Sequence, residues 1–256
     1  MFSHIRYSAQ QLISKLATSM PTCCALCAQI GSQVICRGCQ QHYFLQRTSR
    51  CKQCANPLPI IESDDAGATT LCGDCLKQAQ AFDATIVAVD YAAPVDHLVL
   101  ALKFGSQLAL APVFASALRD ALLQQSVQTG KIDNLPDVLT AVPLGPDRLI
   151  ERGYNQALEI AKPLSLLLGV PLQHTLIKRI HDTQQQAKLH PEERHRNLRS
   201  AFVIPYPAVT QIRGRHIGVI DDVMTTGATL NEIAHTLKRF GASRVTNFVF
   251  ARTLPK

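Results

Sequence analysis

The chain beyond about residue 80 alternates apolar runs with stretches of helical periodicity. The apolar runs typical of strands cover 85–91, 138–142, 217–220 and 245–251, and the helical stretches cover 94–104, 108–124, 155–168 and 229–240. Strands that alternate with helices favour a parallel sheet with helices on both faces. We therefore predict an α/β fold from residue 81 to residue 256, with a kink or break at Pro163 in the third helix.

Two loops of this predicted sheet are the places where a ligand is expected. In parallel sheets of this type, ligands bind beyond the carboxyl ends of the strands. The relevant ends are Val142, followed by the loop 143–153, and Ile220, followed by the run 221–229.

The first 22 residues show a shorter pattern. Ile5, Ala9, Leu12, Leu16 and Met20 recur at helical spacing, which predicts a helical lead; it packs on the next module or lies on a membrane surface. No apolar run reaches the roughly 18 residues that a membrane span needs. The start of the chain also lacks the pattern of a secretory signal. We expect no membrane span and a cytoplasmic location.

Cysteine usage separates residues 23–80 from the rest of the chain. Eight of the nine cysteines form four Cys-x-x-Cys pairs, namely Cys24/Cys27, Cys36/Cys39, Cys51/Cys54 and Cys72/Cys75. Two such pairs complete a tetrahedral Cys₄ site for Zn²⁺. Pairing in sequence order predicts two structural zinc sites in a double zinc ribbon, with Cys23 as the odd cysteine. Interleaved pairing and an iron–sulfur cluster stay open as alternatives.

Positive charge is concentrated late in the chain. The net charge is +7, and the segment from Lys178 to Arg215 holds eight Lys or Arg against three acids. Such a segment is typical of one that binds a polyanion, either a sugar phosphate or a nucleic acid. A solvated basic face that binds no ligand has the same composition. Within it, the polar stretch 184–197 is a candidate lid or a plain linker.

The run from Asp221 to Thr229 carries the most specific chemistry. Asp221 and Asp222 follow a buried strand, and adjacent carboxylates repel unless a ligand or cation compensates them. The vicinal hydroxyls of a ribose offer paired donors, directly or through Mg²⁺. The candidate phosphate cradle then consists of Thr225, Thr226, Gly227, Ala228 and Thr229. Small residues and hydroxyls before a helix N-terminus provide donors for an anion.

These residues resemble a known motif. Residues 218–230 are similar to the diphosphoribosyl-binding motif of type I phosphoribosyltransferases. Four Cys-x-x-Cys pairs before such a domain resemble the ComF/GntX family of competence and DNA-utilisation proteins. Supporting stretches are Leu102-Lys103-Phe104, Val142-Pro143-Leu144, Arg152-Gly153-Tyr154-Asn155-Gln156, Asn197-Leu198 and Ala201-Phe202. The family often has Phe where Tyr154 stands.

The resemblance implies a type I phosphoribosyltransferase-like domain that binds 5-phosphoribosyl-1-diphosphate and Mg²⁺. Asp221 and Asp222 would hold the ribose hydroxyls, and the cradle would hold the 5-phosphate. The loop 143–153 would face the diphosphate, with Arg148 and Arg152 as cations, while Lys103 is a weaker candidate. A hood that selects the acceptor base would come from residues 170–215 or from the zinc module.

Two functions follow from this resemblance. In the first, the protein transfers phosphoribose to an unidentified nitrogenous acceptor. In the second, it is a non-catalytic competence factor that binds single-stranded DNA, with Phe202 and Tyr206 beside the basic segment, and other competence proteins are its partners. Both functions can hold at once.

Overall fold

The computed structural model describes residues 22–45, 49–59, 71–129, 135–180 and 201–254. The predicted stripe of the helical lead and the candidate lid at 184–197 lie outside these residues. The chain separates into two compact units, residues 1–46 and residues 47–256. The first four cysteines of the paired set therefore belong to one unit and the last four to the other. The boundaries expected at residues 22 and 80 stay a prediction.

In its described residues, 22–45, the smaller unit contains a short hairpin and one helix. Strand β1 (Thr22–Cys23) pairs antiparallel with β2 (Ile30–Gly31), and α1 (Arg37–Phe44) follows. Cys36 begins this helix, because its sulfur accepts a hydrogen bond from the backbone N–H of Cys39.

The larger unit contains the other elements. Its helices and strands in chain order are α2 (Gly73–Lys77), β3 (Ala84–Asp90), α3 (Val95–Phe104), α4 (Leu110–Thr129), β4 (Val138–Ala141), α5 (Pro146–Arg152), α6 (Gln156–Leu168), β5 (Lys178–Arg179), β6 (Phe202–Val203), α7 (Val209–Ile212), β7 (His216–Met224), α8 (Ala228–Arg239) and β8 (Arg244–Arg252). Strands β5 and β6 form a separate antiparallel pair.

The predicted parallel sheet is confirmed. Its order is β3-β8-β7-β4, and each neighbouring pair runs parallel. Helix α4 packs on β3 and on α6, α6 packs on β7 and β4, and α8 packs on β8. The strands are apolar along most of their length because both faces are covered. The fully buried core includes Leu98, Leu102, Phe114, Leu118, Leu139, Ile160, Leu164, Val219, Phe248 and Phe250.

Strand β7 is longer than the sequence pattern predicts. The prediction ended it at Ile220, but the strand continues through both aspartates to Met224. The reason is its neighbour β8, which supplies ladder partners as far as the pair Met224–Arg252. On the other side, β4 ends at Ala141 opposite Ile220. The last four residues of β7 therefore extend past β4, at the carboxyl edge of the sheet.

Helix α6 is not broken at Pro163. The sequence predicts a kink or break there, yet one helix runs from Gln156 to Leu168. Its buried side holds Ile160, Ala161 and Leu164, which pack on the sheet and on α4. In this helix, tertiary packing outweighs the missing proline N–H.

No helix within the described residues is both long and apolar enough to cross a membrane.

Candidate functional site

The acid pair lies on the part of β7 that extends past β4. Asp222 is almost fully buried, with 3% of its surface exposed, whereas Asp221 is partly exposed. The backbone N–H of Asp222 donates to Oδ1 of Asp221 at 2.9 Å. Two adjacent carboxyl groups in a protein interior are costly unless a cation or donors compensate them.

Lys103 supplies that cation from a distant element. It lies in the last turn of α3, and its Nζ is 3.0 Å from Oδ2 of Asp222. The contact is an ion pair by distance but lacks the angles of a hydrogen bond. The structure thus places Lys103 directly at the acid pair, although from the sequence it is a weaker candidate cation than Arg148 and Arg152.

The surroundings of the acid pair change the pKa of Asp221. Burial and the charge of Asp222 together raise the pKa of Asp221 to about 8, while Lys103 acts in the opposite direction. A carboxyl group with such a pKa retains its proton near neutral pH. It becomes a better acceptor when a positive or hydrogen-donating ligand enters the site.

The threonine loop, defined as residues 225–229, connects β7 to α8. Gly227 has φ +81°, in the left-handed region, and a Cβ atom there would lie 2.4 Å from Cε of Met224. Only glycine fits this turn. Thr225 and Thr226 are exposed, and Oγ1 of Thr226 accepts a hydrogen bond from the N–H of Ala228 at 3.3 Å. The remaining N–H groups of the first turn of α8 suit an anion.

The loop after β4 is tied to the end of α3. The hydroxyl of Tyr154 donates to the carbonyl of Leu102, and Nδ2 of Asn155 donates to the carbonyl of Val142 at 2.9 Å. The guanidinium of Arg152 lies over the ring of Phe104, 5.0 Å from its centroid. These contacts hold the carboxyl end of β4 beside the residues that flank Lys103.

The two predicted arginines differ in their surroundings. Arg152 lies next to Phe104, and its buried Nε has no hydrogen-bond partner among the described residues. A buried donor without a partner costs free energy that an anionic ligand would recover. Arg148 is exposed on α5 and forms no ion pair with the site residues that the structure describes. The structure therefore brings Arg152, and not Arg148, close to the α3 side of the site.

The eight paired cysteines gather into two groups in sequence order. Within each group, the four sulfurs lie within 4.8 Å of one another; the first group is Cys24, Cys27, Cys36 and Cys39, and the second is Cys51, Cys54, Cys72 and Cys75. The interleaved pairing is not the one adopted. A tetrahedral zinc with bonds of about 2.3 Å places its sulfurs about 3.8 Å apart. The Cys27–Cys36 and Cys54–Cys72 sulfurs, 3.6 Å and 3.5 Å apart, fit that geometry.

Both groups are built on the same backbone turn. The N–H of Ala28 donates to the carbonyl of Cys24, and the N–H of Ala55 donates to the carbonyl of Cys51, each at 2.8 Å. Both alanines have positive φ, near 60°. Burial raises the pKa of Cys24, but backbone N–H donors outweigh it and lower that pKa to about 6. Such a turn favours thiolates, which are the form that binds a metal.

The second cysteine group is hydrogen-bonded to the sheet of its own unit. Nε2 of Gln53 donates to the carbonyl of Phe82 at 3.1 Å, and Oγ1 of Thr85 donates to the carbonyl of Gln53 at 2.6 Å. Arg50 forms an ion pair with Asp90, at the end of β3, at 2.8 Å. These bonds make the group part of the larger unit's folded structure.

Sequence reasoning missed Arg252, a buried cation at the end of β8. Its Nε donates to the carbonyl of Cys54 at 3.1 Å, and its Nη1 donates to the carbonyls of Met224, at 3.1 Å, and Thr225. Burial lowers its pKa, while the negative charge of Cys54 and Cys72 counteracts that effect. The feature of the sequence that could have identified it is a charged residue directly after the predicted strand 245–251.

Comparison with known proteins agrees with this architecture. The family described as the phosphoribosyl transferase domain matches residues 154–254, which include β7, the threonine loop, α8 and β8. The purine phosphoribosyltransferase from Pyrococcus horikoshii Ot3 is similar at 21% identity, over 52% of this chain and 69% of that chain, with a TM-score of 0.32. The family match alone assigns residues 154–254 to a phosphoribosyltransferase-type domain.

Relatives over the whole length define the family. The chain is 34% identical to the DNA utilization protein YhgH of Salmonella typhi, over 92% of this chain and 99% of that protein. It is 30% identical to competence protein F of Haemophilus influenzae, over 87% and 92% respectively. The chain belongs to this ComF/GntX family of competence and DNA-utilisation proteins, as its residues predicted.

The raised pKa of Asp221 predicts a pH-dependent stability. Between the ordinary carboxyl pKa near 4 and about 8, the folded state keeps a proton that the unfolded state releases, so the free energy of unfolding falls as pH rises. Asp221→Asn removes this contribution, which is at most about 1.4 kcal/mol per pH unit. We expect the variant to be more stable than the wild type at pH 8, with a smaller difference at pH 5, in urea unfolding at each pH.

The matched control is Asp96→Asn, at the start of α3 and away from the acid pair. It should keep the wild-type slope of stability against pH. Parallel slopes for Asp221→Asn and the wild type would show that Asp221 has an ordinary pKa.

Proposed function

We propose that this protein binds 5-phosphoribosyl-1-diphosphate with Mg²⁺ and transfers its phosphoribosyl group to a nitrogenous acceptor. The observation that carries the proposal is the arrangement at the end of β7. A compensated acid pair, Asp221 and Asp222, is followed by a left-handed Gly227 at the N-terminus of α8. Acceptors for vicinal hydroxyls and a cradle for a phosphate therefore follow one another along about the length of a ribose 5-phosphate.

The roles of the side chains follow from their positions. Asp221 and Asp222 accept hydrogen bonds from the ribose hydroxyls and orient the sugar. The threonine loop and the first turn of α8 bind the 5-phosphate through N–H and hydroxyl donors. Mg²⁺, when bound, neutralises charge on the diphosphate, and carboxylates are suitable oxygen ligands for it.

The cationic groups of α3 and α5 suit the leaving group. In the proposed transfer, a bond forms between the acceptor nitrogen and C1′ of the ribose. The bond from C1′ to the diphosphate oxygen breaks, and the diphosphate departs with the electron pair. Lys103 and the unpaired Nε of Arg152 stabilise this developing negative charge. Arg148, exposed on α5, joins them only if this helix moves on binding.

We further propose that each cysteine group holds one structural Zn²⁺. Four sulfurs fill the tetrahedron, which leaves no position for a substrate. The zinc ions then contribute to folding, and the chemistry takes place at β7.

The first test titrates 5-phosphoribosyl-1-diphosphate with Mg²⁺ calorimetrically into the wild type and Asp221→Asn/Asp222→Asn. Each hydrogen bond to a charged group contributes about 1.5–3 kcal/mol, so the double variant should bind at least about tenfold more weakly. Asp96→Asn is the matched control and should bind as the wild type does. A folded wild type without measurable binding would overturn the proposal.

The zinc proposal is tested by metal analysis and thermal unfolding. The wild type should contain two zinc ions per chain, and Cys72→Ser should reduce the count to one. Because structural zinc contributes on the order of 10 kcal/mol of folding free energy, this variant should also unfold at a markedly lower temperature. Cys23→Ser is the control, since Cys23 belongs to neither group. Visible absorbance from bound iron would contradict the proposal.

A second proposed function is binding of single-stranded DNA, and the position of Tyr206 favours it. Its side chain is 91% exposed, whereas Phe202 is buried with the guanidinium of Arg179 over its ring. Lys178, Arg213 and Arg215 are also exposed. An exposed aromatic ring and exposed cations are the groups that base stacking and phosphate contacts require. Interaction with other competence proteins stays a prediction.

Fluorescence anisotropy with a labelled oligothymidylate tests the DNA proposal. Tyr206→Ala should weaken binding by about 1–3 kcal/mol, because one stacked base is lost. Tyr206→Phe keeps the ring and should bind as the wild type does. Affinity of the wild type should fall steeply between about 50 and 200 mM salt. Equal affinity of Tyr206→Ala and the wild type would exclude Tyr206 from the interface.

A further inference from the structure

Arg252 is the one buried arginine in the described part of the larger unit, and it lies between two functional regions. It is 6% exposed and closes β8 directly beside Met224 of β7. No carboxylate forms an ion pair with it among the described residues. Backbone carbonyls solvate its charge instead: Cys54 in the cysteine turn, Met224 at the end of β7, Thr225 at the start of the threonine loop, and the adjacent Thr253. A buried charge is retained only when such partners are in place.

The bonds of Arg252 orient one peptide unit of the threonine loop. Its Nη1 donates hydrogen bonds to the carbonyls of Met224 and Thr225. In a trans peptide, the C=O and the following N–H point in opposite directions. The N–H groups of Thr225 and Thr226 therefore point away from Arg252. The Met224 carbonyl also accepts a hydrogen bond from the backbone N–H of Thr253 at 3.0 Å. The amide between Thr225 and Thr226, in the candidate phosphate cradle, is therefore the one whose orientation the guanidinium sets.

The position of the same guanidinium depends on the second cysteine group. Nε reaches the carbonyl of Cys54, whose position is set by the turn that closes with the bond from Ala55 N–H to Cys51 carbonyl. The sulfurs of Cys51 and Cys54 meet those of Cys72 and Cys75 within the cluster. A metal held by four thiolates would fix this turn and leave a net negative charge next to Arg252. Without it, the Cys54 carbonyl loses that constraint.

We propose that Arg252 is a positioning residue through which the second cysteine group holds the threonine loop in its anion-binding conformation. Phosphate binding then requires an intact cysteine group, although no cysteine touches the ligand. The binding part of this inference rests on the proposed function. The coupling between the group and the loop does not, so the two are tested separately.

The ligand-independent test is hydrogen exchange of the peptide covering residues 223–231 in the full-length protein. Arg252→Met should exchange faster than the wild type in this peptide while keeping both metal ions. Cys72→Ser, which opens the second group, should accelerate exchange in the same peptide. Arg244→Met is the matched control because it removes an arginine from the opposite end of β8, and it should leave this peptide unchanged.

The ligand test measures affinity for 5-phosphoribosyl-1-diphosphate with Mg²⁺ in the same proteins. Arg252→Met should bind at least tenfold more weakly than the wild type. Arg252→Lys keeps the charge but not the fork that reaches Cys54 and Thr225 together, so it should recover only part of that loss. By linkage, the ligand should tighten the binding of one metal ion, measured in competition with a chelator, in the wild type but not in Arg252→Met.

The outcomes separate the two proposals. If the wild type does not bind the ligand, the proposed function fails, and the exchange data alone decide the coupling. If the 223–231 peptide of Arg252→Met exchanges hydrogen at the same rate as in the wild type, the inference is wrong. If the wild type binds the ligand and Arg252→Met binds it with the same affinity, the inference is wrong as well.

Discussion

The unequal pairing of β7 with its two neighbours is the constraint on which the candidate site depends. β8 accompanies β7 to Met224, whereas β4 stops opposite Ile220. Backbone hydrogen bonds on one side keep the last residues of β7 extended, and the missing partner on the other side opens the carboxyl edge. Both aspartates lie on this edge, and the turn at Gly227 then starts α8 from a fixed point.

Charges at this edge are buried, and each is compensated by a group from another element. Asp222 is compensated by Lys103 from α3, and Arg252 is compensated by carbonyls from the cysteine turn and the threonine loop. Buried ions stabilise a fold only when their partners are precisely placed around them, so each pair also specifies how the elements assemble. Asp221 is the partly exposed exception, and burial together with the charge of Asp222 raises its pKa.

Much of the architecture was predictable from the sequence. The parallel sheet, the two sequential cysteine groups and the family were all predicted correctly, since each depends on local periodicity or on spacing. The end of β7 was predicted wrongly, and of the kink or break predicted at Pro163 the break does not occur. Asp221 and Asp222 are poor strand formers, and Pro163 is a poor helix residue, but ladder pairing with β8 and burial of the apolar face of α6 outweigh those preferences. The roles of the site residues stay predictions.

The sequence by itself determined the alternation of strands and helices and the cysteine spacing. These properties follow from interactions between residues that are neighbours along the chain. Only the tertiary structure decided that Lys103 reaches Asp222, that Arg152 lies over Phe104, and that Arg252 joins Cys54 to Thr225. Each of these contacts joins residues from different elements. Their partners are selected by packing of the whole sheet, because a buried charge takes whichever compensating group the fold brings within a few ångströms.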